Sequence, residues 1–379
     1  MKILFVQTNY PGFLSSFYND LKRKISKDIN KVSYKNIKKY WANEFFGSAD
    51  FYLKNLIPLG WSGDEIILND WTMQSKWMDE HKLKLPNKNS DLINKIPARI
   101  TNFFGLNNWM KKIFFEQLKY YSPEVVYIHD MTFFNLTDLK IIKKFTKLIV
   151  GQIAYPLPLN TDLLKGYDLI ISSFPHYVEM FKKMGIDSEY LKWCVEGSIL
   201  NSVKGKNNKY NATYVGGLTP HHSKGNKILE KVAKSIDIDF WGYGENLLMP
   251  TSIIKKKFHG QAWGKRMYEI FADSKIVINR HINISGKYAN NMRMFDATAM
   301  GALLLTDQKD NMNEFFNVGS EVVVYKNSDD LVKKAKFYLQ HDKERKKIAK
   351  AGQRRTLKEH TYKIRMKELN SILLKYLKP

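Results

Sequence analysis

The stretch Asn290-Asn291-Met292-Arg293-Met294-Phe295-Asp296 brings two carboxamides, a guanidinium and a carboxylate within two turns of an expected helix. Asparagines are good N-caps and leave the first backbone N–H groups of a helix pointing outward. Arg293 falls in the first turn, where a cation opposes the helix dipole at a cost of roughly 0.3–1 kcal/mol. A bound anion reverses that sign: the N–H groups and the dipole favour a phosphate, and a guanidinium adds a charge-assisted, bidentate contact. Asp296, three residues further on, shares a neighbouring part of that face and can accept from ribose hydroxyls; an ordinary exposed Arg–Asp pair has the same spacing.

Other residues invite the same question. In "YVGGLTPHHSKG", residues 214–225, Gly216 and Gly217 end an apolar run and let a ligand approach the backbone, and Lys224 precedes a helix. The pattern is neither a Walker loop nor a dinucleotide fingerprint, and a tight turn is the alternative. His129 and Asp130 end "VVYIHD", and strand ends of parallel sheets face the ligand crevice; a structural histidine is the competing reading. His281 lies in the loop before the arginine-bearing helix and rivals His129. Asp237 and Asp239 have a D-x-D spacing, but both fall on one strand with no third ligand, so no metal is expected. Trp263 and the "WGYGEN" aromatics suit either a base-pocket wall or the core.

Placing these groups requires α/β elements. "KILFVQ", "DEIILND", "EVVYIHD", "KLIVGQIA", "YDLIISS" and "SEYLKWC" read as strands, alternating with helical patterns after Phe13 and over 91–121. The alternation restarts with "ATYVGG", a helix over 225–235, "DIDFWGYG", a helix over 264–273, "KIVINR", the helix from Asn290 or Asn291, "ALLLTD" and "EVVVY". Two doubly wound parallel-sheet domains are therefore expected, residues 1–200 and 212–360, joined by a polar linker over 201–211, with the ligand cleft between them at the strand C-termini. The stretch 361–379 predicts an amphipathic helix that packs toward the first domain through Ile364, Leu369, Ile372 and Leu373.

Composition narrows the chemistry. With 379 residues, 44% of them hydrophobic, the chain can bury two cores. Its one cysteine, Cys194, excludes an internal disulfide and a cysteine metal cluster and suits a reducing compartment. The apolar run of "MKILFVQTNYPG" stops too soon for a signal peptide, and no stretch is long enough to span a bilayer. A cytoplasmic protein is expected, peripheral at most. The 61 Lys and Arg against 37 Asp and Glu give a net charge of +24, which attracts polyanions and anionic membranes. "WMKKIFFEQLKYY" mixes aromatic and basic residues as a peripheral membrane helix would, and as a core-packing helix with solvated lysines would too.

The second half resembles the glycosyltransferase group related to spore maturation protein CgeB, within the GT-B sugar transferases. The resemblance is carried by "YVGGLTPHHSKG", "NNMRMFDATAMGALLLTDQKDNMNEFF", "EVVVYKNSDDLVKKAKFYLQHDKERKKIAKAGQRR" and "EHTYKIRM", across most of residues 212–366. In the first half only "YDLIISSFPHYVEMFKKMG" and the strand-end histidine resemble the group. The resemblance implies two Rossmann-like domains, with a nucleotide-sugar donor held mainly by the second. By it Lys224 matches the lysine that faces donor phosphates, Asp296 the acidic residue that holds ribose, and Arg293 the arginine of an N-x-R-x-F pattern. Glu314, 18 positions after Asp296, matches a second glutamate of retaining enzymes, and Tyr288 stands where many of them carry another glutamate.

The expectation is thus sugar transfer from a nucleoside diphosphate to a hydroxyl acceptor. Retention of configuration is implied by the resemblance, and Arg293, Lys224 and the helix at Asn290 would serve the diphosphate without a metal or cofactor. His129 or Asp130 would meet the acceptor, a glycan, glycolipid or polyanionic envelope polymer. Two alternatives stay open: a non-catalytic polyanion or nucleic-acid binder on the same scaffold, although no RNP, KH or helix-turn-helix signature is present, and a nucleotide-sugar epimerase.

Overall fold

Short apolar runs bounded by polar turns become the buried strands of two parallel sheets. The computed structural model describes residues 1–25, 28–84, 108–157, 161–205, 208–219, 223–289 and 291–378. It divides into unit 1, Met1–Leu191 with Met366–Pro379, and unit 2, Lys192–Arg365.

Unit 1 runs β1 (Lys2–Gln7), α1 (Pro11–Ile25), α2 (Tyr34–Ala42), α3 (Phe51–Leu56), β2 (Ser62–Ile67), α4 (Trp71–Glu80), α5 (Asn108–Tyr121), β3 (Val125–Ile128), α6 (Leu136–Ile142), β4 (Leu148–Ile153), β5 (Leu169–Ser172), α7 (Pro175–Lys183) and β6 (Ser188–Tyr190). The six strands pair in parallel in the order β2-β1-β3-β4-β5-β6. All residues of β3 and β4 are buried, the continuous apolar pattern of strands covered on both faces. The expected helical pattern over 91–107 lies outside the described residues. The aromatic and basic stretch from Trp109 forms most of α5, whose Ile113, Phe114 and Leu118 are fully buried. Its apolar side is core.

Unit 2 runs β7 (Tyr210–Gly217), α8 (Ser223–Ala233), β8 (Ile238–Tyr243), α9 (Ile253–Lys256), α10 (Gly264–Ala272), β9 (Ser274–Ile278), α11 (Met292–Ala299), β10 (Leu303–Asp307), β11 (Val323–Tyr325), α12 (Ser328–Gln340), α13 (Asp342–Glu359) and α14 (Tyr362–Leu377), of which residues from Met366 count with unit 1. Its strands pair in parallel in the order β11-β10-β9-β7-β8. In α14 the buried apolar side chains are Tyr362, Met366, Leu369 and Leu373, spaced as one helical face, and the expected Ile364 and Ile372 flank it half-buried. No helix among the described residues is long and apolar enough to cross a membrane.

Candidate functional site

In both sheets the strand order reverses beside a central strand, between β1 and β3 in unit 1 and between β7 and β9 in unit 2. Loops leave such a point in opposite directions and open a crevice at the strand C-termini. Gly216, Gly217, Asn291 and Arg293 stand at the point in unit 2, and His129 and Asp130 at the point in unit 1.

In unit 2, Gly216 and Gly217 are the last residues of β7 and not a turn beyond it. Gly216 pairs with Gly242 of β8, so closely that a Cβ on Gly242 would lie 1.9 Å from the Gly216 carbonyl oxygen. The Gly217 carbonyl accepts from Arg280 Nη2 at 3.1 Å. The same Nη2 donates to Asn226 Oδ1 at 2.8 Å, in the first helical turns of α8, and the guanidinium lies 5.4 Å from the Tyr214 ring centroid. Arg280 stands two residues past the end of β9, and sequence reasoning passed over it; an arginine closing the apolar run "KIVINR" was the signal available.

Arg293 reaches the same strand end. Its Nε donates to the Val215 carbonyl at 2.6 Å, and the side chain is half-buried. Helix α11 starts as expected from its cap: Asn291 Oδ1 accepts from Met294 N at 3.2 Å. Asn291 Nδ2 donates to Asn279 Oδ1 at 2.7 Å and to the Arg280 carbonyl at 3.1 Å, which ties the helix start to the end of β9. Asn290 and the side chain of Lys224 lie outside the described residues.

Asp296 differs from both sequence readings. It is 1% exposed, so it is not a surface partner of Arg293, and its Oδ1 accepts from the Tyr268 hydroxyl of α10 at 3.2 Å. Burial pushes its carboxyl up to about 7, against the nearby Arg293 charge and the Tyr268 hydrogen bond. Helix α11 is short and buried from Met294 to Ala299, and the carboxyl is carried inside with it.

His281 is likewise enclosed. Its side chain is 0% exposed, with Nδ1 2.7 Å from Asp307 Oδ1 and Nε2 3.2 Å from Met294 Sδ. Both ring nitrogens are spent on binding β10 to α11, so the residue is a strut behind the crevice rather than a group in it. Glu314 stands in a short 3-10 turn, half-exposed, 3.4 Å from Lys192 Nζ.

In unit 1, Asp130 and Thr8 lie just past the ends of β3 and β1 and bridge the reversal point: Thr8 Oγ1 donates to Asp130 Oδ2 at 3.1 Å. Asp130 Oδ1 accepts from the Thr132 hydroxyl at 2.7 Å and its backbone N–H at 3.1 Å. His129 packs against Phe5, Tyr52 and Tyr127, with ring centroids 6.0, 4.9 and 5.1 Å away. Burial there lowers its pKa to about 4, so the ring is neutral at physiological pH. Gln152 of β4, also unanticipated, accepts from the Tyr52 and Tyr127 hydroxyls.

Asp237 pairs with Lys257 and Asp239 with His259, each at 2.6 Å. Trp241 is core, 4% exposed, whereas Tyr243 and Trp263 are half-buried with rings stacked at 6.0 Å.

Residues 223–371 match a family model described as glycosyl transferase-like. None of the curated proteins matches the chain. A glycosyltransferase from Rickettsia africae ESF-5 is similar in structure, with a TM-score of 0.58 at 15% identity over 100% of this chain and 98% of that one. Anabaena Alr3699/HepE in complex with UDP-glucose is similar with a TM-score of 0.60 at 10% identity, over 99% and 100%. For the T4 phage β-glucosyltransferase the values are 0.54 and 13%, over 100% of both chains. The fold is that of the GT-B glycosyltransferases, two parallel-sheet α/β domains. The family match adds support for a glycosyl transferase-like protein of that type.

Proposed function

We propose that the protein transfers a glycosyl group from a nucleoside-diphosphate sugar to a hydroxyl acceptor. One observation carries the reading: Arg280, from the loop after β9, and Arg293, from the first turn of α11, both reach the carboxyl end of β7 beside the capped start of α11. As the bond between sugar and diphosphate breaks, charge builds on the leaving diphosphate. Cations and helix N–H groups already in place stabilise that charge more than the ground state. Lys224 and Asn290 are proposed to join them, so the reaction needs no metal.

The carboxyl end of β3 in unit 1, at His129 and Asp130, is proposed to meet the acceptor, a glycan, glycolipid or envelope polymer. The CgeB-like group, hexosyl transfer and retention of configuration belong to the same proposal and rest on the motif resemblance. The UDP-glucose complex of the Anabaena neighbour supports UDP as the first nucleotide to try.

The test is thermal stability against UDP, GDP, ADP, CDP and CMP, for the native chain and Arg293→Ala. A diphosphate at 100 times its Kd stabilises by about 2.7 kcal/mol. Selective stabilisation by one diphosphate, reduced in the variant, is expected; no response to any of them defeats the reading.

A further inference from the structure

We propose that α13 is a membrane-docking surface: one face of the helix carries a line of cations that fits the anionic headgroups of a lipid bilayer. The inference goes beyond sugar transfer and does not depend on it.

Along α13, Lys343, Lys346, Lys347, Lys350, Arg354 and Lys358 recur at steps of three and four, and all of them are exposed. At 3.6 residues per turn they share an arc of roughly 120° and span about 22 Å of the helix. The opposite side is buried at Arg345, Ile348, Ala349, Gly352 and Thr356. Gly352 is pressed against the chain before β11, where a Cβ would lie 2.3 Å from the Glu321 carbonyl oxygen. Packing on that side fixes the rotation of the helix and keeps the cations outward.

The acids of α13 do not answer these charges. Asp342 is taken by Arg345 and Lys346, Glu359 pairs with Arg355 at 3.0 Å, and Glu344 falls outside the arc. Lys343, Lys347, Lys350, Arg354 and Lys358 make no ion pair among the described residues. Like charges three and four apart repel along a helix, and a layer of anions turns that repulsion into attraction.

The composition of the face favours a bilayer over nucleic acid. Its cations are lysines with one exception, point charges suited to a diffuse layer of headgroups, whereas guanidinium forks suit phosphate and base recognition. No aromatic residue occurs in α13, so there is no platform for stacked bases. Phe337, 44% exposed at the end of α12, stacks at 3.9 Å on His341, the residue before α13. It sets an apolar ring at the tip of the helix, the kind of group that enters the headgroup layer. Helix α5 offers no comparable face, because Lys111 is paired with Asp138 and Lys119 with Glu116.

The experiment is co-sedimentation of the full-length protein with vesicles of phosphatidylcholine and with vesicles of equal parts phosphatidylcholine and phosphatidylglycerol. The native chain is expected on the anionic vesicles alone and to be released by salt. Lys343→Gln, Lys347→Gln and Lys350→Gln together are expected to weaken that binding about 100-fold, about fivefold for each lysine lost, with no fall in melting temperature. Lys112→Gln, Lys140→Gln and Lys144→Gln remove the same charge from exposed positions of unit 1 and are expected to change it by no more than about twofold, because charges away from the docked face are screened. Equal losses in the two triple variants overturn the proposal, as does an absence of binding to the anionic vesicles. Tighter binding of the native chain to a double-stranded DNA fragment than to the anionic vesicles at the same salt overturns it too. No nucleotide enters these readouts, so their failure leaves the donor-site reading untouched.

Discussion

Arg293 and Val215 stand 78 positions apart, yet Arg293 Nε donates to the Val215 carbonyl at 2.6 Å. The bond holds the guanidinium over the end of β7 and accounts for an arginine in the first turn of α11, where the helix dipole alone disfavours it. Nη1 and Nη2 are the groups proposed to meet the diphosphate.

Replacing Arg293 is accordingly expected to cost more than one charge. Arg293→Ala should weaken nucleoside-diphosphate binding by about 1.5–3 kcal/mol, the range for hydrogen bonds to charged groups. Arg293→Lys should recover only a minor part, because an ammonium lacks the guanidinium fork. Calorimetric titration of both variants measures the difference.

Gly225 gives access to Arg280 without touching it. A Cβ at residue 225 would lie 2.0 Å from Arg280 Nη1, so Gly225→Ala displaces the guanidinium while the helix gains a better helix former. The variant should fold and bind the diphosphate about tenfold more weakly. Combined with Arg280→Ala it should add little, since both act on one group, and a double-mutant cycle reads the coupling.

Asp296 should set a pH dependence of unusual sign. Its pKa is raised from 3.8 to about 7, so across that window the folded state binds more protons than the unfolded one. Stability then falls as pH rises from 3.8 to 7, by about 1.4 kcal/mol per unit of separation. Asp296→Asn removes the titration and should melt higher than the native chain at pH 8 but not at pH 4, as melting curves across pH would show.

His129 works in the opposite direction. Its pKa is lowered from 6.5 to about 4, so the unfolded chain binds more protons in that range and stability falls as pH drops through it. His129→Phe keeps an aromatic ring in the cluster and should lose less stability than the native chain between pH 6.5 and 4. Equal acid sensitivity in the two would place the ring in water.

The strands were legible because each is a short apolar run with polar ends. "KILFVQ" became β1 over its full length, and "ATYVGG" became β7 with two residues added at its start. The start of α11 was legible from Asn291, because capping is a bond between residues three apart. The environment of Asp296 was not. Spacing from Arg293 sets its direction on the helix, but Tyr268 comes from α10 to cover it, and the far side of α11 is closed by Thr356 of α13, 2.6 Å from Thr298.

His281, Arg280 and Gln152 mark the same boundary. Residue type and local order determined the alternation of elements, the helix caps and the loops able to carry polar groups, because those depend on backbone dihedrals and neighbours a few residues away. Which polar side chain faces the crevice and which serves as a strut was decided only when distant strands paired. His281 found Asp307 26 positions on, Arg280 found Gly217 63 positions back, and Gln152 found Tyr52 100 positions back. A buried polar group takes the partner that the fold brings within hydrogen-bonding distance, because leaving it unpaired costs more than any local preference gains.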